Sequence, residues 1–204
     1  MRTAIAGFVL LAAGALAQSQ PPPKDPDPRF GVNARVKQYP QDSPKAALRS
    51  AIRFIEVGDY AYLVAHLLDA KFVDEQVADR AKGLEAAAER ELAQLRDFQR
   101  ANPDKVTAEN RVPLDPKEFR AAAALKARDR AVKQFQKEVE EKLKDDSQAL
   151  KDMRKLLRDG MFSEADPTAS VTHPDVKGRT LFFKKTGDRW FLENKQSEEP
   201  KKEP

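Results

Sequence analysis

The chain has 204 residues, of which 37 are Lys or Arg and 33 are Asp or Glu, so its formal net charge is +4 at pH 7. The complete lack of cysteine excludes disulfides, thiolate nucleophiles, zinc–cysteine sites and iron–sulfur clusters. Basic and acidic residues are interspersed, which argues against nucleic acid as a partner and against strong membrane binding.

Residues 1–17 are typical of an export signal. Arg2 supplies the positive start, residues 5–16 are apolar or small, and Ala15-Leu16-Ala17 forms an Ala-x-Ala cleavage site. The apolar run is shorter than the ~20 residues that span a bilayer. We therefore expect cleavage before Gln18, a protein in the periplasm or outside the cell, and no stable membrane insertion afterwards. The alternative is a signal that is retained as an anchor.

The rest of the chain divides into three parts by composition. Residues 18–40 are rich in proline and predict a flexible linker, whose end can dock through Phe30, Val32, Val36 and Tyr39. Residues 41–194 predict a single α+β domain. Residues 195–204 form a charged tail with no apolar residue that would make it fold.

Residues 43–69 predict two helices joined by a corner, which we call the helical hook. Ser43 is a good N-cap and Pro44 suits the first helical position. Gly58 can end the first helix in the left-handed conformation, and Asp59 can cap the second. Apolar residues recur at helical spacing in both parts, so the inside of the hook is predicted to be apolar.

Two long helical stretches follow, at residues 72–101 and 116–159. The second begins with a capping box, in which Asp115 caps and Glu118 completes the pattern. A single helix over this span would be ~65 Å long at 1.5 Å per residue, so we expect a break at residues 145–147. Both stretches carry a narrow apolar face among many charges, which predicts an antiparallel helical pair with solvated outer faces.

The C-terminal part predicts strands at residues 168–173, 179–185 and 189–194. Gly187-Asp188 is a two-residue turn of the type that joins antiparallel strands. With that turn, Thr186 faces Arg189, Lys185 faces Trp190 and Phe183 faces Leu192. We therefore predict a mostly helical α+β fold with a C-terminal antiparallel β-hairpin or three-stranded sheet.

The alternation along these strands also predicts what each face contacts. Leu181, Phe183, Trp190 and Leu192 share one face, and the helical hook is the expected cover. Phe182 and Phe191 lie on the opposite face, where a helix or a partner is expected to cover part of the surface. A basic aromatic patch could be formed by Lys184, Lys185, Arg189 and Lys195 beside Phe182 and Trp190. We interpret it as a buried aromatic face with lysines at its rim rather than as a nucleic-acid surface.

Two stretches resemble exported bacterial proteins of the NTF2-like (cone-shaped α+β) superfamily. These are the Ser-Pro-Lys-Ala-Ala start of the hook with its Gly58-Asp59-Tyr60 corner, and the C-terminal TLFFKKTGDRWFLEN with its Gly-x-x-Trp. The resemblance covers roughly residues 43–69 and 166–194, and the helical middle departs from the strands of a typical member. The resemblance implies a pocket inside a cone-shaped fold. Enzymes of this superfamily use an acidic side chain and a tyrosine inside that pocket for catalysis.

No catalytic, metal or cofactor site is predicted. His66 and Asp69 lie one helical turn apart, but two ligands do not make a metal site. The sequence contains neither a nucleophile elbow nor a Gly-rich phosphate loop. The paired carboxylates along the helices are interpreted as solvated residues or caps.

We therefore expect a non-catalytic, exported cell-envelope binding or interaction module whose partner is an unknown protein or small ligand. One alternative is a small-ligand-binding protein or enzyme with a pocket between the hook and the sheet, lined by Tyr60, Tyr62, His66 and Trp190. Another is a structural oligomer formed through the long helical pair. The sequence does not determine the oligomeric state.

Overall fold

The computed structural model describes residues 25–108 and 110–195, which form a mostly helical α+β fold with a C-terminal antiparallel sheet, as predicted. The expected signal at residues 1–17, the first part of the predicted linker, and the tail from residue 196 lie outside the described residues.

The helical hook consists of α1 (Pro44–Val57) and α2 (Tyr60–Tyr62), and α2 continues into a π-helical turn (Leu63–Leu67). The Ser43 hydroxyl accepts from the Ala46 N–H at 3.2 Å, and Gly58 closes α1 with a φ of 74°. The Asp59 carboxylate accepts from the Tyr62 N–H at 3.0 Å. The predicted two-helix corner is confirmed, whereas the π-helical turn was not predicted.

The long helical pair consists of α3 (Ala70–Ala101) and α4 (Pro116–Asp145). The Asp115 carboxylate caps α4, accepting from the backbone N–H groups of Lys117 and Glu118. The start of α3 packs on the end of α4, and the middle of α3 packs on the start of α4, so the pair is antiparallel. The apolar contacts comprise Val73, Val77, Val132 and Phe135 in one cluster, and Ala88, Leu92, Ala123 and Ala127 in a second.

Ion pairs also join the two long helices. Arg80 Nη2 lies 2.5 Å from Glu138 Oε2, and Lys126 Nζ lies 2.6 Å from Glu91 Oε1. Hydrogen bonds from these cations lower the pKa of both carboxyl groups below the ordinary value. Because water reaches both pairs, each contributes little to stability.

The second predicted stretch is broken where expected. Helix α4 ends at Asp145 and α5 (Ala149–Asp159) follows. Asp146 Oδ1 accepts from the Ala149 N–H at 2.8 Å, where the new helix begins. The break lets α5 turn back, so that Met153 and Leu156 join the same core as the hook.

The described residues form a four-stranded antiparallel sheet in chain order, of β1 (Met161–Ala165), β2 (Thr168–Thr172), β3 (Leu181–Thr186) and β4 (Arg189–Glu193). The predicted register is confirmed: Thr186 faces Arg189, Lys185 faces Trp190 and Phe183 faces Leu192. Strand β1 was not predicted. It is an edge strand with four of its five residues exposed, so its sequence lacks the alternation that marks a half-buried strand.

The hook and α5 together cover the apolar face of the sheet. Their shared core includes Phe54, Tyr62, Leu67, Leu156, Phe183 and Trp190. At the outer edge of β4, Leu68 pairs in parallel with Leu192, and the Asp69 N–H donates to the Leu192 carbonyl at 2.8 Å. The hook is therefore joined to the sheet through the backbone as well as through side chains.

Residues 25–42, which we call the N-terminal segment, run along the hook. Arg29 Nη1 donates to the Ala65 carbonyl at 3.0 Å, and the Arg35 N–H donates to the Tyr62 hydroxyl at 3.0 Å. The ring of Tyr39 lies 4.3 Å from that of Phe54. The end of the predicted linker thus contacts the folded domain along the π-helical turn.

Candidate functional site

The four residues named from the sequence as pocket candidates lie in the core. Tyr62 is fully buried, and His66, Trp190 and Tyr60 are 3%, 4% and 9% exposed. The ring of Tyr62 stacks on Phe54 with centroids 4.0 Å apart, and it lies 5.0 Å from the imidazole of His66. None of the four lines any of the cavities described below. Ligand binding by these side chains stays a prediction.

His66 belongs to the π-helical turn and faces the N-terminal segment. Its Nε2 lies 2.8 Å from the Val32 carbonyl oxygen. Because a carbonyl only accepts, Nε2 carries the proton in this contact. Burial lowers the pKa of His66, and the charges of Arg189 and Arg29 lower it further, against the opposing effect of the Val32 carbonyl. The neutral ring therefore helps to hold the N-terminal segment at neutral pH.

We expect the protein to lose stability as the pH falls below about 6.5, the ordinary pKa of an unfolded histidine. In that range the unfolded chain binds a proton at His66 while the folded chain does not, so acid favours unfolding. The loss is about 1.4 kcal/mol for each unit by which folding lowers the pKa. Urea unfolding of the wild type and of His66→Gln between pH 5.5 and 8 measures it. If the free energy of unfolding depends on pH equally in the two proteins, this prediction is contradicted.

A cavity of about 600 Å³ lies between the N-terminal segment and the turn that joins β3 to β4. We call it the hairpin cavity. Its lining combines apolar side chains of the segment with charged groups from both sides. It is lined by Asp25, Pro26, Val36, Lys37, Pro40, Gln41, Asp42, Thr186, Gly187, Asp188 and Arg189.

Gln41 fixes one wall of the hairpin cavity. Its carbonyl accepts from the Trp190 N–H at 2.8 Å, and its Nε2 donates to the carbonyls of both His66 and Trp190 at 2.9 Å. Gln41 is 1% exposed, and its Oε1 has no hydrogen-bond donor among the described residues. The N-terminal segment is therefore attached to the edge of β4 beside the cavity.

Arg189 forms the opposite wall. Its guanidinium carbon lies 5.0 Å from the centre of the Phe191 ring. Its Nη1 is buried without a hydrogen-bond partner, and no carboxylate of residues 25–108 or 110–195 lies within ion-pair distance. Burial lowers the pKa of Arg189 below the ordinary arginine value. The sequence around Arg189 did not predict this burial.

Phe182 and Phe191, on the face of the sheet opposite the hook, differ in how deeply they are buried. Phe191 is 6% exposed and lies under Arg189, whereas Phe182 is half-buried with Lys195 Nζ 5.2 Å from its ring centre. The side chains of Arg189 and Lys195 therefore contact this face within the chain, and the expected cover by a helix or a partner stays a prediction. The remaining groove, of about 180 Å³, is lined by Ser163, Ala165, Thr168, Ala169, Ser170, Phe182, Glu193 and Lys195.

Two further cavities lie along the helical pair. One of about 890 Å³ is formed at the tip by the connection between α3 and α4, around Pro103, Val112 and Leu114. The other, of about 400 Å³, lies between Phe30 of the N-terminal segment and Val132 of α4. The large apolar side chains exposed on the described part of this pair and its connection are Phe98, Leu114 and Leu125. They give no observation that favours an oligomer over a monomer.

Two features are absent from the described residues. No cluster of three or more His, Asp or Glu side chains there is arranged to hold a metal ion. No helix in that part of the chain has the length and apolar character needed to cross a membrane.

Comparison of the chain with protein-family models, with curated proteins and with solved structures finds no match. The resemblance to the NTF2-like superfamily therefore stays a prediction.

Proposed function

We propose that the protein is a non-catalytic binding module, exported to the cell envelope, that holds a small ligand in the hairpin cavity. The observation that supports this proposal is Arg189, a half-buried cation without a carboxylate partner in the wall of a 600 Å³ cavity. Small-molecule sites are typically clefts of about 300–1,000 Å³ with mostly apolar walls and a few polar groups. Export rests on the pattern of residues 1–17.

The hairpin cavity is favoured over the space between the hook and the sheet. Tyr62, His66 and Trp190 fill that space with their own side chains, so a ligand there would have to displace the core. Displacing packed aromatic side chains costs several kcal/mol. The hairpin cavity needs no such change, because it is already open and its walls are fixed by the Gln41 contacts and by the strand register of β3 and β4.

A two-dimensional ¹H–¹⁵N NMR screen with a chemically diverse set of small molecules tests the proposal. We expect saturable shifts of the Val36, Lys37 and Gly187 amide signals, with dissociation constants of about 1 mM or tighter for the best compounds, or about −4 kcal/mol. Thr186→Trp, which adds an aromatic ring at an exposed position of the lining, should weaken this binding about tenfold, since it fills part of the volume.

Glu164→Trp is the matched control, because it adds the same ring at an exposed position of β1 that does not line the hairpin cavity. It should bind the same compounds as the wild type does. The proposal is wrong if the diverse set leaves the three signals unmoved, or if Thr186→Trp and Glu164→Trp bind equally well.

A further inference from the structure

Arg189 has no carboxylate partner among the described residues, whereas several other half-buried arginines do. Arg29 contacts Asp74 at 2.8 Å, and Arg80 contacts Glu138 at 2.5 Å. Arg179 contacts Asp146 at 2.5 Å and Asp152 at 3.3 Å. Each of these guanidinium groups has a carboxylate to offset its partial removal from water. Arg96 resembles Arg189, because its Nε is buried without a hydrogen-bond partner and its guanidinium carbon lies 4.6 Å from the centre of the Phe119 ring. Unlike Arg189, it lines none of the four cavities described above.

The carboxylates that line the hairpin cavity do not offset the charge of Arg189. Asp25, Asp42 and Asp188 are all exposed, and none lies within ion-pair distance of the guanidinium. Contact with the Phe191 ring compensates only part of the lost hydration, since such a contact is worth about 0.5–1 kcal/mol at an exposed site and about 2 kcal/mol when desolvated. The cavity therefore contains a cation that lacks an anionic partner.

The chemistry of a matching ligand follows from the two kinds of wall. A guanidinium forms paired, charge-assisted hydrogen bonds with a carboxylate, and these are about twice as strong as neutral ones. Pro26, Val36 and Pro40 give the N-terminal side an apolar surface on which a hydrocarbon chain or ring can lie. A ligand with a carboxylate and a hydrocarbon body would form an ion pair with Arg189 and bury apolar surface at the same time.

We propose that the hairpin cavity binds small organic acids, with the carboxylate on Arg189 and the apolar body against Pro26, Val36 and Pro40. The inference rests on the proposed function, because it names the ligand class of the same cavity. Arg189 is therefore assigned to binding rather than to folding, since a charge removed from water without a partner does not stabilise the fold.

Hexanoate and its uncharged analogue hexanamide are the probes for this inference. Each is titrated into the purified protein at pH 7 and constant ionic strength, and the amide signals of Val36, Gly187 and Arg189 are followed by NMR. We expect hexanoate to bind about tenfold or more tightly than hexanamide, because only the acid forms charge-assisted hydrogen bonds with the guanidinium.

Arg189→Gln should remove this difference in affinity. It should weaken hexanoate binding about tenfold and leave hexanamide binding nearly unchanged. Arg120→Gln is the matched control: it removes an equal charge from an exposed position of α4 that does not line the cavity, and it should keep the preference for the acid. We also expect Arg189→Gln to melt at or above the wild-type temperature. If that variant fails to fold, Arg189→Lys, which keeps the charge but loses the paired geometry, replaces it and should show a reduced preference.

The outcomes separate this inference from the proposed function. Equal binding of hexanoate and hexanamide to the wild type, or an unchanged preference in Arg189→Gln, would overturn the organic-acid assignment and leave a neutral-ligand site. Hexanoate shifts confined to signals outside the cavity would overturn it as well. Failure of the whole diverse set to move the cavity signals would instead reject the proposed function, and this inference with it.

Discussion

Replacing Phe183 with alanine should lower the free energy of unfolding by about 3–5 kcal/mol, the usual cost of removing a buried aromatic ring. Phe183 is fully buried at the centre of the sheet, on the face that the hook and α5 cover. The loss combines the transfer of the ring to water with the cavity that rigid neighbours leave behind. Urea unfolding followed by circular dichroism measures it.

Phe182 provides the matched control for this substitution. It is the adjacent residue of the same strand, but its side chain lies on the opposite face and is only half-buried. We expect Phe182→Ala to lower the free energy of unfolding by about 1 kcal/mol, since most surface changes have small effects. Similar losses for the two variants would show that the hook does not provide the main cover of the sheet.

Replacing Gly160 with alanine should also be strongly destabilising, by about 1–3 kcal/mol. Gly160 lies between α5 and β1, where the chain passes very close to the helix it has just left. A Cβ there would overlap the carbonyl oxygen of Leu156 and lie 2.5 Å from Val171 Cγ2. Because one of these neighbours is backbone, the substitution must shift either the end of α5 or the start of the sheet.

The same substitution at Gly83 should have the opposite sign. Gly83 lies within α3, and a Cβ at that position meets no atom within 4 Å. Alanine stabilises a helix interior by about 0.5–1 kcal/mol relative to glycine, because it loses less backbone entropy on folding. Thermal unfolding of Gly160→Ala, Gly83→Ala and the wild type compares them directly. A Gly160→Ala protein that is as stable as the wild type would contradict the predicted overlap.

Most of the fold could be predicted because its signals are local. The caps at Ser43, Asp59 and Asp115 act over three residues or fewer, and the structure confirms all three. The register of β3 and β4 follows from the two-residue turn and the alternation of side chains. The break after Asp145 followed from helix length and from acidic residues that can cap.

The candidate site could not be predicted in the same way. Gln41 has no periodic neighbours that indicate burial, and its partner Trp190 is 149 residues away. Arg189 follows Asp188 in a polar turn, and only the tertiary structure distinguishes it from an exposed cation. Strand β1 was missed because an exposed edge strand needs little apolar alternation, and it is held by pairing with β2 instead.

The contact between Gln41 and Trp190 also orders the events of folding. Closing a long loop costs conformational entropy before its contacts can offset that cost, so contacts between neighbouring elements form first. Most contacts of the helical pair join α3 and α4, which are adjacent along the chain, so this pair can form before the hook is covered. The hook keeps part of its apolar inside exposed until α5 and the sheet have packed against it. A chain cut short before α5 would therefore carry a formed helical pair next to an open hook, a target for chaperones and proteases.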